Sequence, residues 1–197
     1  MNSYTGSILS IVGPMFGGKT SRLITERRKY NIAGKRTILI KHCMDTRYGG
    51  ANGYTVTHDR IREVSYEAKH PTSLFQCGLG IRELRDNFDG VFIDEGQFYE
   101  DVDEFCETLA NAGLAVFCSA LLADYNRKPF PSISRLLALS DNIVFTTAVD
   151  RSTGKDAPFT MKRRGSSESG TNSFGENYDI GGEDKYESVS RVSYFTR

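Results

Sequence analysis

The sequence predicts an α/β fold: a parallel-sheet core flanked by helices, with a small loop-rich lid, or lasso, at the C-terminus. Three observations lead to it. Strand, helix, strand order recurs along residues 1–149, the first strand runs into a glycine-rich turn that opens a helix, and from about Asp150 the composition shifts toward Gly, Ser and Asn.

The first strand is SILSIV, a short apolar run from Ser7, and the turn after it leads into TSRLITERRKYNIAG, a helix stopped near Gly34. The β-branched run RTILIKH completes a βαβ unit. The same order returns with GVFIDE, EDVDEFCETLANAG and LAVFCSAL. In its helix, Val102, Phe105, Cys106 and Leu109 form one apolar stripe that ends at Gly113. A further helix, SISRLLALS, precedes the strand NIVFTTAV. The remainder, RRGSSESGTNSFGENYDIGGEDK included, has the composition of a loop or lid. The expected division is therefore a core over 1–149 and a lid over 150–197.

A chain of 197 residues, 39% of them apolar, suffices for one compact core with a small appendage. Charge is balanced, 25 Lys and Arg against 25 Asp and Glu, so no general field favours a nucleic-acid backbone or an anionic membrane. No apolar run approaches the roughly 20 residues that span a bilayer, and no leader-like segment precedes the first strand. Cys43, Cys77, Cys106 and Cys118 form no C-x-x-C pair and read as reduced thiols. The expectation is a cytoplasmic protein with neither a nucleic-acid nor a membrane partner.

The strongest motif is GPMFGGKT, which fits G-x-x-x-x-G-K-[ST] and stands between a strand and a helix. Along Gly13, Pro14, Met15, Phe16, Gly17 and Gly18, backbone N–H groups can converge on phosphate oxygens at a helix N-terminus. Lys19 would reach the β- and γ-phosphates of ATP, and Thr20 would ligate Mg²⁺. In VFIDEGQF, Asp94 ends a buried strand and Glu95 follows it. Ligands of open parallel sheets bind at that end, so Asp94 suits the metal and Glu95 a general base acting on a hydroxyl or on water. These residues alone leave a kinase and an ATPase both open, and a non-catalytic nucleotide sensor would need only the phosphate loop.

The collinear set GPMFGGKT, KHCMDTRY, THDR, DEGQF, NRKPF and GGEDKYESVSRVSY resembles the type II thymidine kinases of cells and large DNA viruses. The short chain, without a long C-terminal extension, is similar to a viral version, which would place it in the host cytoplasm. The resemblance implies transfer of the γ-phosphoryl group of ATP to the 5′-hydroxyl of thymidine with Mg²⁺, giving dTMP. It also implies a homotetramer or dimer and dTTP as feedback inhibitor. Carried over by residue, it gives Gly13 to Thr20 to the donor phosphates, Asp94 to magnesium and Glu95 to the base. Asp45 and Arg47 would flank the reacting phosphates. It puts Met15, Phe98, Leu121, Tyr125, Phe130 and Tyr186 around the nucleoside, with a loop over 165–180 closing on the base. His42, His58 and His70 receive no catalytic role. The pattern departs at LLADY, where many members carry an acid and a glycine between the leucine and the aromatic residue.

The resemblance also marks four positions where members usually carry zinc-binding cysteines: here they are Asp150, Thr153, Ser190 and Ser193. One carboxylate with three hydroxyls lacks the thiolate or imidazole that Zn²⁺ prefers, so no structural zinc is expected. Hydrogen bonds worth about 1 kcal/mol each would not match a metal worth on the order of 10 kcal/mol. Apolar packing, subunit contacts or bound nucleoside should therefore order the lid.

Overall fold

The computed structural model describes residues 6–43, 54–56, 62–163 and 184–196. Its centre is a six-stranded sheet in the order β5-β2-β6-β7-β1-β8. The strands are β1 (Ser7–Gly13), β2 (Thr37–Lys41), β5 (Tyr66–Glu67), β6 (Gly90–Ile93), β7 (Ala115–Leu121) and β8 (Asn142–Phe145), and every neighbouring pair is parallel. Helices α1 (Lys19–Ile32), α2 (Ile81–Asn87), α3 (Val102–Asn111) and α4 (Pro131–Leu139) connect them. A short hairpin, β3 (Tyr54–Val56) with β4 (Arg62–Val64), lies between β2 and β5.

The two-residue period of the strands divides the core. Ile11, Leu39, Phe92 and Phe117 turn to one face and meet Leu23 of α1; Phe92 stacks on Phe117 with centroids 4.4 Å apart. Ile8, Val12, Ile40, Val91, Ile93, Val116 and Cys118 turn to the other face and pack with Phe105 and Leu109 of α3 and Ile133 and Leu136 of α4. Burying a side chain such as Phe92 stabilises the fold by roughly 1.5–3 kcal/mol. Helix α1 stops where Gly34 adopts φ 73°, donating to the Asn31 carbonyl. Among the described residues no helix is long and apolar enough to cross a membrane.

The parallel sheet and the order of its longer elements match the sequence expectation. Several short elements do not. The hairpin β3–β4, strand β5 and the seven-residue helix α2 were not foreseen. Residues on either side of 164–183 are more regular than a loop: β9 (Ala148–Val149) pairs antiparallel with β10 (Asp156–Ala157), β11 (Phe159–Lys162) with β12 (Tyr186–Val189), and α5 (Arg191–Thr196) follows. NIVFTTAV is also two elements, because the main sheet ends at Phe145 and Ala148 already pairs with Ala157. The segment 165–180, expected to close over the nucleoside, lies outside the described residues.

Candidate active site

The turn from β1 to α1 has little room for side chains. A Cβ on Gly13 would stand 2.4 Å from the Thr146 carbonyl oxygen, and one on Gly17 2.9 Å from the Thr146 hydroxyl. Phe16 and Gly18 take left-handed φ values of 59° and 74°. Gly18 caps α1 without a side-chain hydrogen bond, and the first turn of the helix carries no acid. Those N–H groups therefore present positive potential suited to phosphate. The Lys19 ammonium donates to the Pro14 carbonyl at 2.6 Å, which lays the amine across the loop.

Asp94 follows the last residue of β6 and is 2% exposed. The Thr20 hydroxyl donates to its Oδ1 at 3.1 Å, and the Ser119 hydroxyl of β7 donates to the same oxygen. Thr20 and Asp94 are thus brought together across 74 residues of sequence as hard oxygen donors, and they fit Mg²⁺. Glu95 has φ 57° and ψ 44°, a conformation that costs a residue with a side chain on the order of 1–3 kcal/mol and often marks a functional site. One 3₁₀ turn, Gly96–Phe98, follows. Gly96 is required there, since a Cβ would meet Cys118 Sγ at 2.5 Å. Gln97 donates from Nε2 to Glu95 Oε2 at 2.5 Å and accepts the Leu121 N–H on Oε1 at 2.9 Å.

On the expected nucleoside side, Phe98 is half-buried against the His42 ring, 4.7 Å between centroids, and His42 Nε2 bonds the Pro71 carbonyl oxygen at 2.6 Å. Tyr125 and Tyr186 lie 6.1 Å apart. Phe130 is buried in the larger core cluster and Leu121 packs against that cluster, so both also serve the core. Met15 is held at both backbone groups: its N–H donates to Thr160 Oγ1 at 3.0 Å, and its carbonyl accepts from Ser188 Oγ at 2.6 Å. The hairpin β11–β12, which carries Tyr186, is thereby stitched to the phosphate loop. Asp45 and Arg47 lie outside the described residues, as does His58.

The four zinc-marked positions are not equivalent. Asp150 is 1% exposed and accepts the Ser190 N–H at 2.8 Å, the Ser152 N–H at 2.9 Å and the Ser152 hydroxyl at 2.7 Å. Ser190 Oγ donates to Ser193 Oγ at 3.2 Å. Thr153 instead is exposed, and its hydroxyl accepts the Lys155 N–H at 3.3 Å. Ser152, rather than Thr153, donates to the Asp150 carboxylate. These hydroxyls, Ser152 first and then Ser193 and Ser190, hold the Asp150 carboxyl well below the usual carboxylate range. A carboxylate whose oxygens already face N–H and O–H donors, with no thiolate or imidazole beside it, does not fit Zn²⁺. Beside the packing, subunit contacts and nucleoside expected to order this region, Asp150 supplies a buried charge that ties Ser152 to Ser190 by charge-assisted hydrogen bonds, which are the stronger kind.

Gln97, Ser119, Ser152, Thr160 and Ser188 went unread in the sequence. Gln97 lies within DEGQF and Ser188 within GGEDKYESVSRVSY, but no local pattern marks the role of either, or of the other three.

A phosphate loop on β1 and an acid pair at the end of β6, with the aromatic pair Tyr125 and Tyr186, define a nucleotide-binding protein of the P-loop α/β class. Comparison with known proteins narrows this. The family model for thymidine kinase matches residues 6–194. The thymidine kinase of raccoon poxvirus is 42% identical over 189 residues, covering 96% of this chain and 97% of the relative. The human cytosolic thymidine kinase is 38% identical over 192 residues, 98% of this chain and 74% of the relative. Thymidine kinase 1 of Dictyostelium discoideum is 38% identical over 196 residues. The chain belongs to the thymidine kinase family. It is a kinase, and the family uses ATP as phosphate donor.

Proposed function

We propose that this chain phosphorylates thymidine at its 5′-hydroxyl, taking the γ-phosphoryl group of ATP and releasing dTMP and ADP. Membership of the thymidine kinase family carries the reading, and the Thr20–Asp94 hydrogen bond of 3.1 Å supports it by setting the acid pair against the phosphate loop. Backbone N–H groups from Gly13 to Thr20 and the Lys19 ammonium hold the donor phosphates. Mg²⁺, held by Thr20 and Asp94, supplies neutralisation of phosphate charge when bound. Glu95 accepts the proton of the 5′-hydroxyl as its oxygen attacks phosphorus, and ADP leaves in line. Asp45 and Arg47 orient that base and offset developing charge. Met15, Phe98, Leu121, Tyr125, Phe130 and Tyr186 surround thymine and sugar. Residues 1–149 act as the ATP-binding core and 150–197 as the lid, without structural zinc.

The same reading makes the protein a cytoplasmic homotetramer or dimer, in the host cytoplasm if its source is a virus, with dTTP as feedback inhibitor. Balanced charge supports a small-molecule substrate over nucleic acid or membrane. The test is ADP release with ATP and Mg²⁺, with and without thymidine, with dTMP identified as product. A kinase releases ADP only with thymidine, an ATPase releases it without, and a sensor releases none.

A further inference from the structure

Gln97 is a buried amide with both ends engaged, 5% exposed in the turn that follows the acid pair. A side-chain amide donates through nitrogen and accepts through oxygen. The Leu121 N–H can only donate, so Oε1 must face it, and that obliges the NH₂ group to face Glu95. The orientation of the amide is therefore set by chemistry. Leu121 is the last residue of β7 and stands beside Gly13 in the parallel register with β1. Gln97 thus refers the Glu95 carboxylate to the strand that borders the first residue of the phosphate loop.

Resting on the reading of Glu95 as the base, we propose that Gln97 is a positioning residue for phosphoryl transfer: it fixes the Glu95 carboxylate relative to Leu121 and Gly13 before the acceptor hydroxyl arrives. Glu95 has three side-chain torsions, and a base acts only within hydrogen-bond reach of the proton it takes. Small misplacements of such groups cost large factors in rate. One amide therefore removes freedom from the base and registers it to the phosphate-binding strand at the same time. It acts through Glu95 and touches no phosphate in this role.

The experiment is a double-mutant cycle on the full chain, with kcat and both KM values measured for wild type, Glu95→Gln, Gln97→Glu and the double variant. Gln97→Glu keeps an acceptor for the Leu121 N–H and replaces the donor to Glu95 by an oxygen. The expected result is a fall in kcat of about 10–100-fold with both KM values within about threefold. In the Glu95→Gln background the same change should alter kcat by less than about twofold, because the group through which it acts is already gone. An equal loss in both backgrounds, or a loss seen only in KM, overturns the proposal. If Glu95→Gln alone keeps near wild-type kcat, it is the base assignment that fails. Should Gln97→Glu not fold, Gln97→Met in the same cycle must show the same non-additivity, and additive losses overturn the proposal equally.

Discussion

Asp150 shows how one substitution changes the chemistry of a position. Its carboxylate takes two main-chain N–H groups and a hydroxyl, and it is nearly inaccessible to solvent. Asp150→Asn preserves shape but turns one acceptor into a donor facing donors, and should cost about 1–3 kcal/mol in urea unfolding at neutral pH. The sign of the pH dependence follows from the depressed folded value. The contribution of Asp150 is fully present above its unfolded value near 3.8 and is lost as pH falls below that, toward the lower folded value. Wild type should therefore lose more stability than Asp150→Asn on acidification below about pH 4, and parallel losses would show that the charge does not hold the hub. Ser119→Ala removes one of the two hydroxyls on Asp94 Oδ1. It should lower activity several-fold at limiting Mg²⁺ and recover as Mg²⁺ is raised, read from Mg²⁺ titrations of kcat. The sequence marks Asp94 for magnesium and Asp150 as a zinc-cysteine position, but not the hydrogen bonds that either carboxylate accepts. Asp and Ser in a polar stretch look like any solvated loop, and the role of Gln97 depends on a main-chain N–H 24 residues away.

The hairpin β11–β12 and the phosphate loop behave as one unit through Met15. Removing the Ser188 hydroxyl leaves the Met15 carbonyl without that donor. Ser188→Ala should raise KM for ATP and for thymidine together, each by roughly 3–10-fold, the range of a lost hydrogen bond near 1 kcal/mol. A rise in only one KM would mean that the two sites are not coupled there. A second tie secures the Tyr125 loop: the Tyr194 hydroxyl donates to the Tyr125 carbonyl at 3.0 Å, and the Arg127 guanidinium lies 4.5 Å from the Tyr194 ring centroid and 4.6 Å from that of Phe195. The longer elements were legible because periodicity needs length to show. The seven-residue β1 and ten-residue α3 display their buried stripes, whereas two-residue strands such as β9 and β10 are defined only by their partner. The hairpin partners β11 and β12 are likewise joined across a long stretch of sequence, with Phe159 opposite Val189, a pairing no local signal predicts.

For the molecule as a whole, the order β2-β6-β7-β1 brings the acid pair and the phosphate loop to the same end of the sheet, with β7 between their strands. Ligands bind there in open parallel sheets. The phosphate loop and the acids were readable because each motif sits at a strand end, where sequence position and spatial position coincide; Asp45 and Arg47 had only the family resemblance behind them. Because the Asp150 hub needs no metal, a strong zinc chelator should leave the melting temperature unchanged within about a degree. A zinc-held lid would instead lose on the order of 10 kcal/mol of ordering energy. The most direct test of the central claim compares thymidine-dependent ADP release by wild type and Glu95→Gln at saturating ATP, Mg²⁺ and thymidine. Loss of a positioned general base predicts a fall in kcat of about 10²–10⁴-fold with thymidine KM little changed. Near-normal dTMP formation by Glu95→Gln, or ADP release by the wild type without thymidine, would contradict it.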